Sequence, residues 1–177
     1  MSITIVRYTD LPYSARVAQQ LNAIFFQSSN TQSFADEDVR AQFRERWLGR
    51  YLTHYPQWFY VALSDGDCAG YLAGCLDNPA KLPLFADIAL YKTFSNWTEK
   101  YPAHLHVNLG AAYRSAGAGS ELVGRFCNDA RHAGAPGVHV MTGKHMRNVA
   151  FYARNGFREL ASAGEGAAAV VFLAREL

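Results

Sequence analysis

Residues 104–132 read HLHVNLGAAYRSAGAGSELVGRFCNDARH, and this stretch decides the fold. The run His104–Leu109 is typical of a β-strand, and Gly119–His132 carries an apolar stripe at helical spacing. Between them lies the loop Arg114-x-x-Gly117-x-Gly119. A strand that leads through glycines into a helix N-terminus favours an anion site, because the N–H groups of the first turn are free and the helix dipole attracts negative charge.

The loop alone is also compatible with an ordinary tight turn. A Rossmann fingerprint requires a third glycine, and Leu122 stands at that position. A Walker A loop requires Gly-Lys-Ser/Thr, which the stretch lacks. The loop is therefore neither a Rossmann fingerprint nor a Walker A loop.

A second sequence motif supports a specific interpretation of the loop. Residues 148–157 read NVAFYARNGF, a short helix that ends in Phe-Tyr-x-x-x-Gly-Phe one strand after the loop. The order and spacing of the two blocks resemble the GNAT superfamily of acetyl-CoA-dependent N-acetyltransferases. The stretch YPAHLHVNL, residues 101–109, is also similar to the acetyltransferase-like domain appended to some O-GlcNAcases.

The resemblance implies acetyl-CoA as the co-substrate. In the family, the loop wraps the CoA pyrophosphate with backbone amides, and the residue that ends the preceding strand offers its N–H to the thioester oxygen. The resemblance therefore implies a set of cofactor-binding residues in the strand end, the loop and the later helix. They are Leu109, Arg114, Ser115, Ala116, Gly117, Ala118, Gly119, Asn148 and Tyr152.

The resemblance also implies catalytic residues. Tyr152 is expected to donate a hydrogen bond or a proton to the leaving thiolate. The amine acceptor requires a base, for which His106 is the first candidate and His104 the second. Both share one face of their strand with Asn108, which stands where related sequences often carry an acid. These residues also fit an ordinary polar strand face, and a metal pair at His-x-His lacks an evident third ligand.

Hydrophobic periodicity along the rest of the chain predicts the order β-α-α-β-β, an irregular insert, then β-α-β-α-β-β. A first helix is expected from about residue 12 to residue 26, and Ser33 is expected to cap a second helix that ends before Pro56. The fold class is α/β (α+β). The resemblance implies one GNAT-like domain over residues 1–177, with a mixed sheet of about seven strands, about four helices, and a splay between strands 4 and 5.

Composition limits the partners and the compartment. A net charge of +2 gives no indication of a nucleic-acid partner, and no stretch reaches the roughly 20 apolar residues of a membrane span. Cys68, Cys75 and Cys127 match no disulfide or zinc pattern, which favours reduced thiols. The N-terminus lacks the pattern of a signal peptide. We therefore expect a cytoplasmic protein.

The acceptor is expected to be a primary amine of a small molecule or a peptide. In this fold the acceptor cleft would fall at Phe26–Phe34 and in the insert at Asp77–Tyr101, whose aromatic residues suggest a wall for an amine with apolar bulk. The same aromatic residues are also compatible with an ordinary core. Asn108 favours a rival interpretation, a non-catalytic acetyl-CoA-binding or scaffold domain. Apolar residues on the last strands are compatible with a homodimer.

Overall fold

The computed structural model describes residues 3–12, 14–114 and 117–177, and seven strands in these residues form one mixed sheet. The strands are β1 (Ile3–Arg7), β2 (Phe59–Ser64), β3 (Asp67–Cys75), β4 (Ala103–Leu109), β5 (Gly137–Gly143), β6 (Arg158–Ala163) and β7 (Val170–Glu176). Their order is β1-β2-β3-β4-β5-β7-β6. β4 runs parallel to β5, whereas the β1/β2, β2/β3, β5/β7 and β6/β7 pairs are antiparallel. The predicted mixed sheet of about seven strands is confirmed.

The helices occupy the predicted positions, with two short additions in the insert. They are α1 (Ala15–Ser28), α2 (Glu37–Arg44), α3 (Arg50–His54), α4 (Ala89–Thr93), α5 (Ser95–Thr98), α6 (Ala118–His132) and α7 (Asn148–Arg154). A π-helical turn, Glu45–Gly49, joins α2 directly to α3. The predicted second helix is therefore α2, the π turn and α3 in succession.

The structure corrects the predicted N-cap of α2. Asp36, and not Ser33, is its N-cap, because the Asp36 carboxylate accepts a hydrogen bond from the Val39 N–H at 2.8 Å. Both residues are acceptable caps, so the sequence pattern alone could not choose between them. The helix begins three residues later than the pattern predicts.

The chain divides into two compact units, one of Met1–Gly74 with His106–Phe126 and one of Cys75–Leu105 with Cys127–Leu177. We call them the first and second units. The prediction that residues 1–177 form a single domain stays a prediction. None of the helices in the described ranges combines the length and apolar character needed to cross a membrane.

The first unit is built on a β-hairpin and closed by a helix. Asp65 and Gly66 both have positive φ, 51° and 84°, as a two-residue turn between β2 and β3 requires. Phe126 of α6 lies edge-on to Trp58 and Tyr60, with each pair of ring centroids 6.3 Å apart. Leu122 and Phe126 are fully buried, which confirms the apolar stripe of this helix.

The second unit has an aromatic core supplied largely by the insert. Phe94 contacts Phe172 of β7 with ring centroids 5.4 Å apart, and His139 of β5 stacks on the same ring at 4.7 Å. Phe85 and Tyr91 are also buried, and their rings meet at 5.8 Å. Of the two interpretations that the sequence left open for the insert aromatics, an acceptor wall or a core, the structure places Phe85, Tyr91 and Phe94 in the core.

Two glycine substitutions should change stability in opposite directions. A Cβ on Gly74 of β3 would lie 2.3 Å from a ring carbon of Phe126, so Gly74→Ala should destabilise the protein by about 1–3 kcal/mol through overpacking. A Cβ on Gly124 of α6 would meet no atom of the described chain within 4 Å, so Gly124→Ala should stabilise it by about 0.5–1 kcal/mol through helix propensity. Urea unfolding measures both, and equal effects would contradict the packing of Phe126 on β3.

Candidate active site

The candidate CoA segment, Arg114–Gly119, contains a glycine that the backbone conformation demands. Gly117 has φ +86° immediately before α6, and its carbonyl accepts a hydrogen bond from the Glu121 N–H at 3.1 Å. A Cβ built on Gly117 would meet no described atom within 4 Å, so open space adjoins the backbone there. A phosphate could therefore approach the first turn of the helix, as an anion site requires. Ser115 and Ala116 lie outside the described residues.

Arg114 ties this segment to the end of β4. Its Nε donates a hydrogen bond to the Leu109 carbonyl at 3.3 Å, and its side chain is exposed. The residues that begin α6, Ala118 and Gly119, are buried, so the helix start is held in place by packing. A fixed cation beside a helix N-terminus is suited to a pyrophosphate.

The end of β4 is fixed by close contact with β3. The Gly110 N–H donates to the Ala69 carbonyl at 2.9 Å. A Cβ on Gly70 would lie 2.3 Å from a methyl carbon of Leu109 and 2.7 Å from the Asn108 carbonyl oxygen. Only a glycine allows the backbone of β3 to approach this closely, so the position of Leu109 is set by packing.

His106 lies in the first unit against the helix segment around the π turn. Its Nε2 is 3.1 Å from the Tyr51 hydroxyl oxygen, and Trp47 lies edge-on to the imidazole with ring centroids 5.2 Å apart. Burial lowers the pKa of His106 to about 4, and the nearby positive charge of Arg50 lowers it further in the same direction. The imidazole is therefore neutral at physiological pH.

Asn108 is held by a buried tyrosine. Its Nδ2 donates a hydrogen bond to the Tyr71 hydroxyl oxygen at 2.9 Å, and the Tyr71 ring stacks on Phe59 at 5.3 Å. Burial raises the pKa of Tyr71 well above its usual range, although the hydrogen bond from Asn108 and the charge of Arg44 oppose the rise. Tyr71 is therefore a neutral phenol, and the pair carries no charge.

His104 is in the second unit and differs sharply from His106. It is only 1% exposed, and its ring lies 5.0 Å from that of Phe85, 5.5 Å from that of Tyr91 and 5.5 Å from that of His139. A base must reach the acceptor directly or through one water. His104 has the surroundings of a core residue, which favours His106 as the candidate base.

Tyr152 and Asn148 lie on α7 in the second unit. Tyr152 is 5% exposed, and its ring lies edge-on to Phe151 at 5.2 Å and to Phe157 at 5.4 Å. The Phe157 N–H donates to the Tyr152 carbonyl at 3.1 Å, which closes the helix end. Asn148 accepts a hydrogen bond from the Thr142 hydroxyl at 3.0 Å, so its amide is oriented by β5.

The first unit brings together the candidate residues Leu109, Arg114, Gly117 and His106, whereas His104, Asn148 and Tyr152 belong to the second unit. Sequence reasoning did not assign a site role to Trp47, Tyr51 or Arg50 around His106. The spacing of the first two indicated a helical stripe, but not which strand the stripe would meet. The described residues contain no group of three or more His, Cys, Asp or Glu side chains that could hold a metal ion.

The arrangement of a strand, a glycine loop with a fixed arginine, and a buried helix start agrees with a comparison against protein families. The model of the acetyltransferase (GNAT) family matches residues 19–157. The chain belongs to the GNAT family of acetyltransferases. It is accordingly an acetyltransferase that uses acetyl-CoA. A comparison with curated protein sequences found no significant match.

Solved structures with the same fold cover the whole chain. The structure of SsHAT is 20% identical, with a TM-score of 0.75 and coverage of 99% of this chain and 98% of that one. Ard1 from Thermoplasma volcanium is 15% identical, with a TM-score of 0.63 and coverage of 100% and 99%. The PaiA N-acetyltransferase from Thermoplasma acidophilum, solved in complex with coenzyme A, is 14% identical, with a TM-score of 0.65 and full coverage of both chains. At these identities the likeness shows the fold.

His106 should lower the stability of the folded protein at acidic pH. Its pKa is lowered in the folded state, whereas a histidine in the unfolded chain takes up a proton near pH 6.5. The unfolded state therefore binds more protons between pH 6.5 and about 4, and stability falls as the pH falls through this window. Replacing His106 by Gln should flatten that fall.

Urea unfolding at several pH values between about 7 and 4.5 would measure the slope. His145→Gln is the matched control, because the side chain of His145 is exposed. An unchanged slope in the His106 variant would contradict the lowered pKa.

Proposed function

We propose that this protein is an N-acetyltransferase that transfers the acetyl group of acetyl-CoA to a primary amine of a small molecule or a peptide. The transfer would proceed by direct attack in a ternary complex. The observation that carries the proposal is Gly117, whose positive φ and open Cα face lie directly before α6, beside an Arg114 bonded to the end of β4. Family membership supports acetyl-CoA as the donor.

The first unit would hold the donor. The N–H groups of Gly117 and of the first α6 residues, Ala118 and Gly119, would receive the pyrophosphate, and Arg114 would add a cation. Ser115 and Ala116 complete the same segment in the sequence. The Leu109 N–H would donate to the thioester oxygen and stabilise the negative charge that develops there.

The chemical step joins the amine nitrogen to the thioester carbonyl carbon and breaks the C–S bond. Tyr152 would donate a hydrogen bond to the departing sulfur, and Asn148 would contact the cofactor. Full proton transfer from a phenol of pKa near 10 to a thiolate whose thiol has a pKa near 8.5 is uphill by about 2 kcal/mol. A hydrogen bond from the neutral phenol provides much of the stabilisation without that cost. His106 would receive the proton that the nitrogen loses, with His104 as the second candidate.

Three free, buried cysteines support a cytoplasmic location, because reduced thiols are usual in a reducing compartment. The homodimer stays a prediction.

Replacing Tyr152 by Phe should separate chemistry from binding. The substitution removes the hydroxyl but keeps the ring that packs against Phe157, so acetyl-CoA binding should persist while kcat falls by about 100-fold. CoA release with a panel of amines measures turnover, and a thermal shift with acetyl-CoA measures binding. Tyr101→Phe is the control because Tyr101 is a partly buried core residue of the same unit. Unchanged turnover in the Tyr152 variant would remove its catalytic role.

Replacing Gly117 by Ala should weaken acetyl-CoA binding. An alanine at φ +86° costs about 1–2 kcal/mol, and relief of that strain would rearrange the candidate pyrophosphate loop, so Kd should rise about tenfold. Gly134→Ala is a matched control, since Gly134 has φ +85° with open space at the other end of α6. It should lower stability equally and leave Kd unchanged in calorimetric titration. An equal loss of affinity in both variants would contradict the assignment of the loop.

A further inference from the structure

The strand that faces the acceptor in the proposed function carries no strong base. Residues 103–109 read AHLHVNL and include no carboxylate. Asn108 donates its amide hydrogen to the neutral Tyr71 hydroxyl, and an amide cannot take up a proton at neutral pH. His106 is the one described base of β4 in the first unit, and its low pKa makes it a weak one.

Arginines of the neighbouring helix segment act on this part of β4. From Glu37, where α2 begins, to His54, where α3 ends, the chain carries four arginines and the three acids Glu37, Asp38 and Glu45. Arg40 pairs with Glu37 at 3.3 Å. The Glu45 carboxylate folds back along its own helix onto Gly49, where a Cβ would lie 2.0 Å from its Oε2. A positive charge beside the strand raises the free energy of a bound ammonium relative to the neutral amine.

Two of these arginines act on the strand residues directly. Arg50 is 7% exposed, and its charge lowers the pKa of His106. Arg44 donates from its Nε to the Asn22 side-chain oxygen at 2.6 Å, and its charge acts on Tyr71, the partner of Asn108. The groups that face His106 from the neighbouring helix are Tyr51, Trp47 and Arg50, and none of them is an acid.

We propose that the acceptor of this enzyme is a weakly basic amine that enters the site already uncharged. This inference rests on the proposed N-acetyltransferase function. The free amine attacks the thioester carbon, the C–N bond forms, and the C–S bond breaks. The extra proton on the nitrogen then passes to His106 or to water, because an N-acylated nitrogen is acidic enough for a weak base. The thiolate leaves as the thiol with a proton from solvent or from Tyr152.

The basicity of the acceptor determines what fraction of it is present as the free, reactive amine. At pH 7.5 an ammonium with a pKa near 10.4, as in a lysine side chain, leaves about 0.1% of the amine free. A peptide α-ammonium with a pKa near 7.8 leaves about one third free. A strong base could compensate by taking the proton itself, whereas His106, whose pKa is lowered, compensates poorly. The greater nucleophilicity of the more basic amine offsets only part of this difference.

A nearly isosteric series of acceptors tests the proposal in the intact protein. Ethylamine, 2-fluoroethylamine and 2,2-difluoroethylamine differ little in size and fall steadily in basicity. We expect kcat/KM at pH 7.5, per total amine, to rise at least tenfold from ethylamine to 2,2-difluoroethylamine. For each amine, kcat/KM should rise with pH up to the pKa of that amine, with no inflection between pH 6 and 7 from the enzyme.

The outcomes separate this inference from the function on which it rests. If ethylamine is the best substrate of the series, the inference is overturned and the N-acetyltransferase function stands. If wild-type protein that binds acetyl-CoA acetylates none of the three amines but releases CoA with another amine of the panel, the inference alone is overturned. If no amine of the panel releases CoA, both are overturned. An inflection between pH 6 and 7 that belongs to the enzyme would also overturn the inference, because it would reveal a base stronger than His106.

A variant that supplies the missing carboxylate provides a second test. Asp is nearly isosteric with Asn, and in Asn108→Asp the new carboxylate can accept a hydrogen bond from Tyr71. We expect this variant to raise kcat/KM for ethylamine relative to 2,2-difluoroethylamine by about tenfold. Asn128→Asp, an exposed change of the same charge on α6, should leave the ratio unchanged. An unchanged ratio in the Asn108 variant would overturn the role of the absent carboxylate, and the wild-type amine series decides the proposal if that variant fails to fold.

Discussion

The close approach of β3 to the end of β4 is the constraint on which the candidate site depends. Gly70 brings its backbone so near to Asn108 and Leu109 that no side chain could stand between them. The contact fixes the carbonyl of Leu109, to which Arg114 is bonded, and the chain then leads through the glycine loop into α6. A small residue in one strand thereby orients the end of the next strand and the Arg114 side chain bonded to it.

Electrostatics distinguishes this site from one built around a carboxylate base. Burial and a neighbouring arginine keep the His106 imidazole neutral, and the amide of Asn108 is paired with a phenol that burial also keeps neutral. A neutral strand beside the charge of Arg50 has little capacity to remove a proton from a strongly basic amine. The same arrangement is compatible with an acceptor that arrives without that proton.

Much of the fold follows from local sequence patterns. The seven strands and the helix Asn148–Arg154 lie where hydrophobic periodicity and the glycines at turns predict them, because these signals depend on neighbouring residues. The π turn at Glu45–Gly49 left no such signal, and it lies in the segment that presents Trp47 and Tyr51 to His106. Which strand a helical stripe meets depends on residues more than fifty positions away.

The sequence by itself determined the order of the elements and the family. The family follows from the Arg114–Gly119 loop and the Phe151–Tyr152 pair, because both are short motifs recognised by the spacing of their residues. Only the tertiary structure decided the surroundings of His104 and His106. Alternation places them on one face of a strand, yet the first is enclosed by core aromatic rings and the second contacts a tyrosine hydroxyl beside an arginine. Burial and charge are properties of packed neighbours, and strand periodicity carries no information about which neighbours those are.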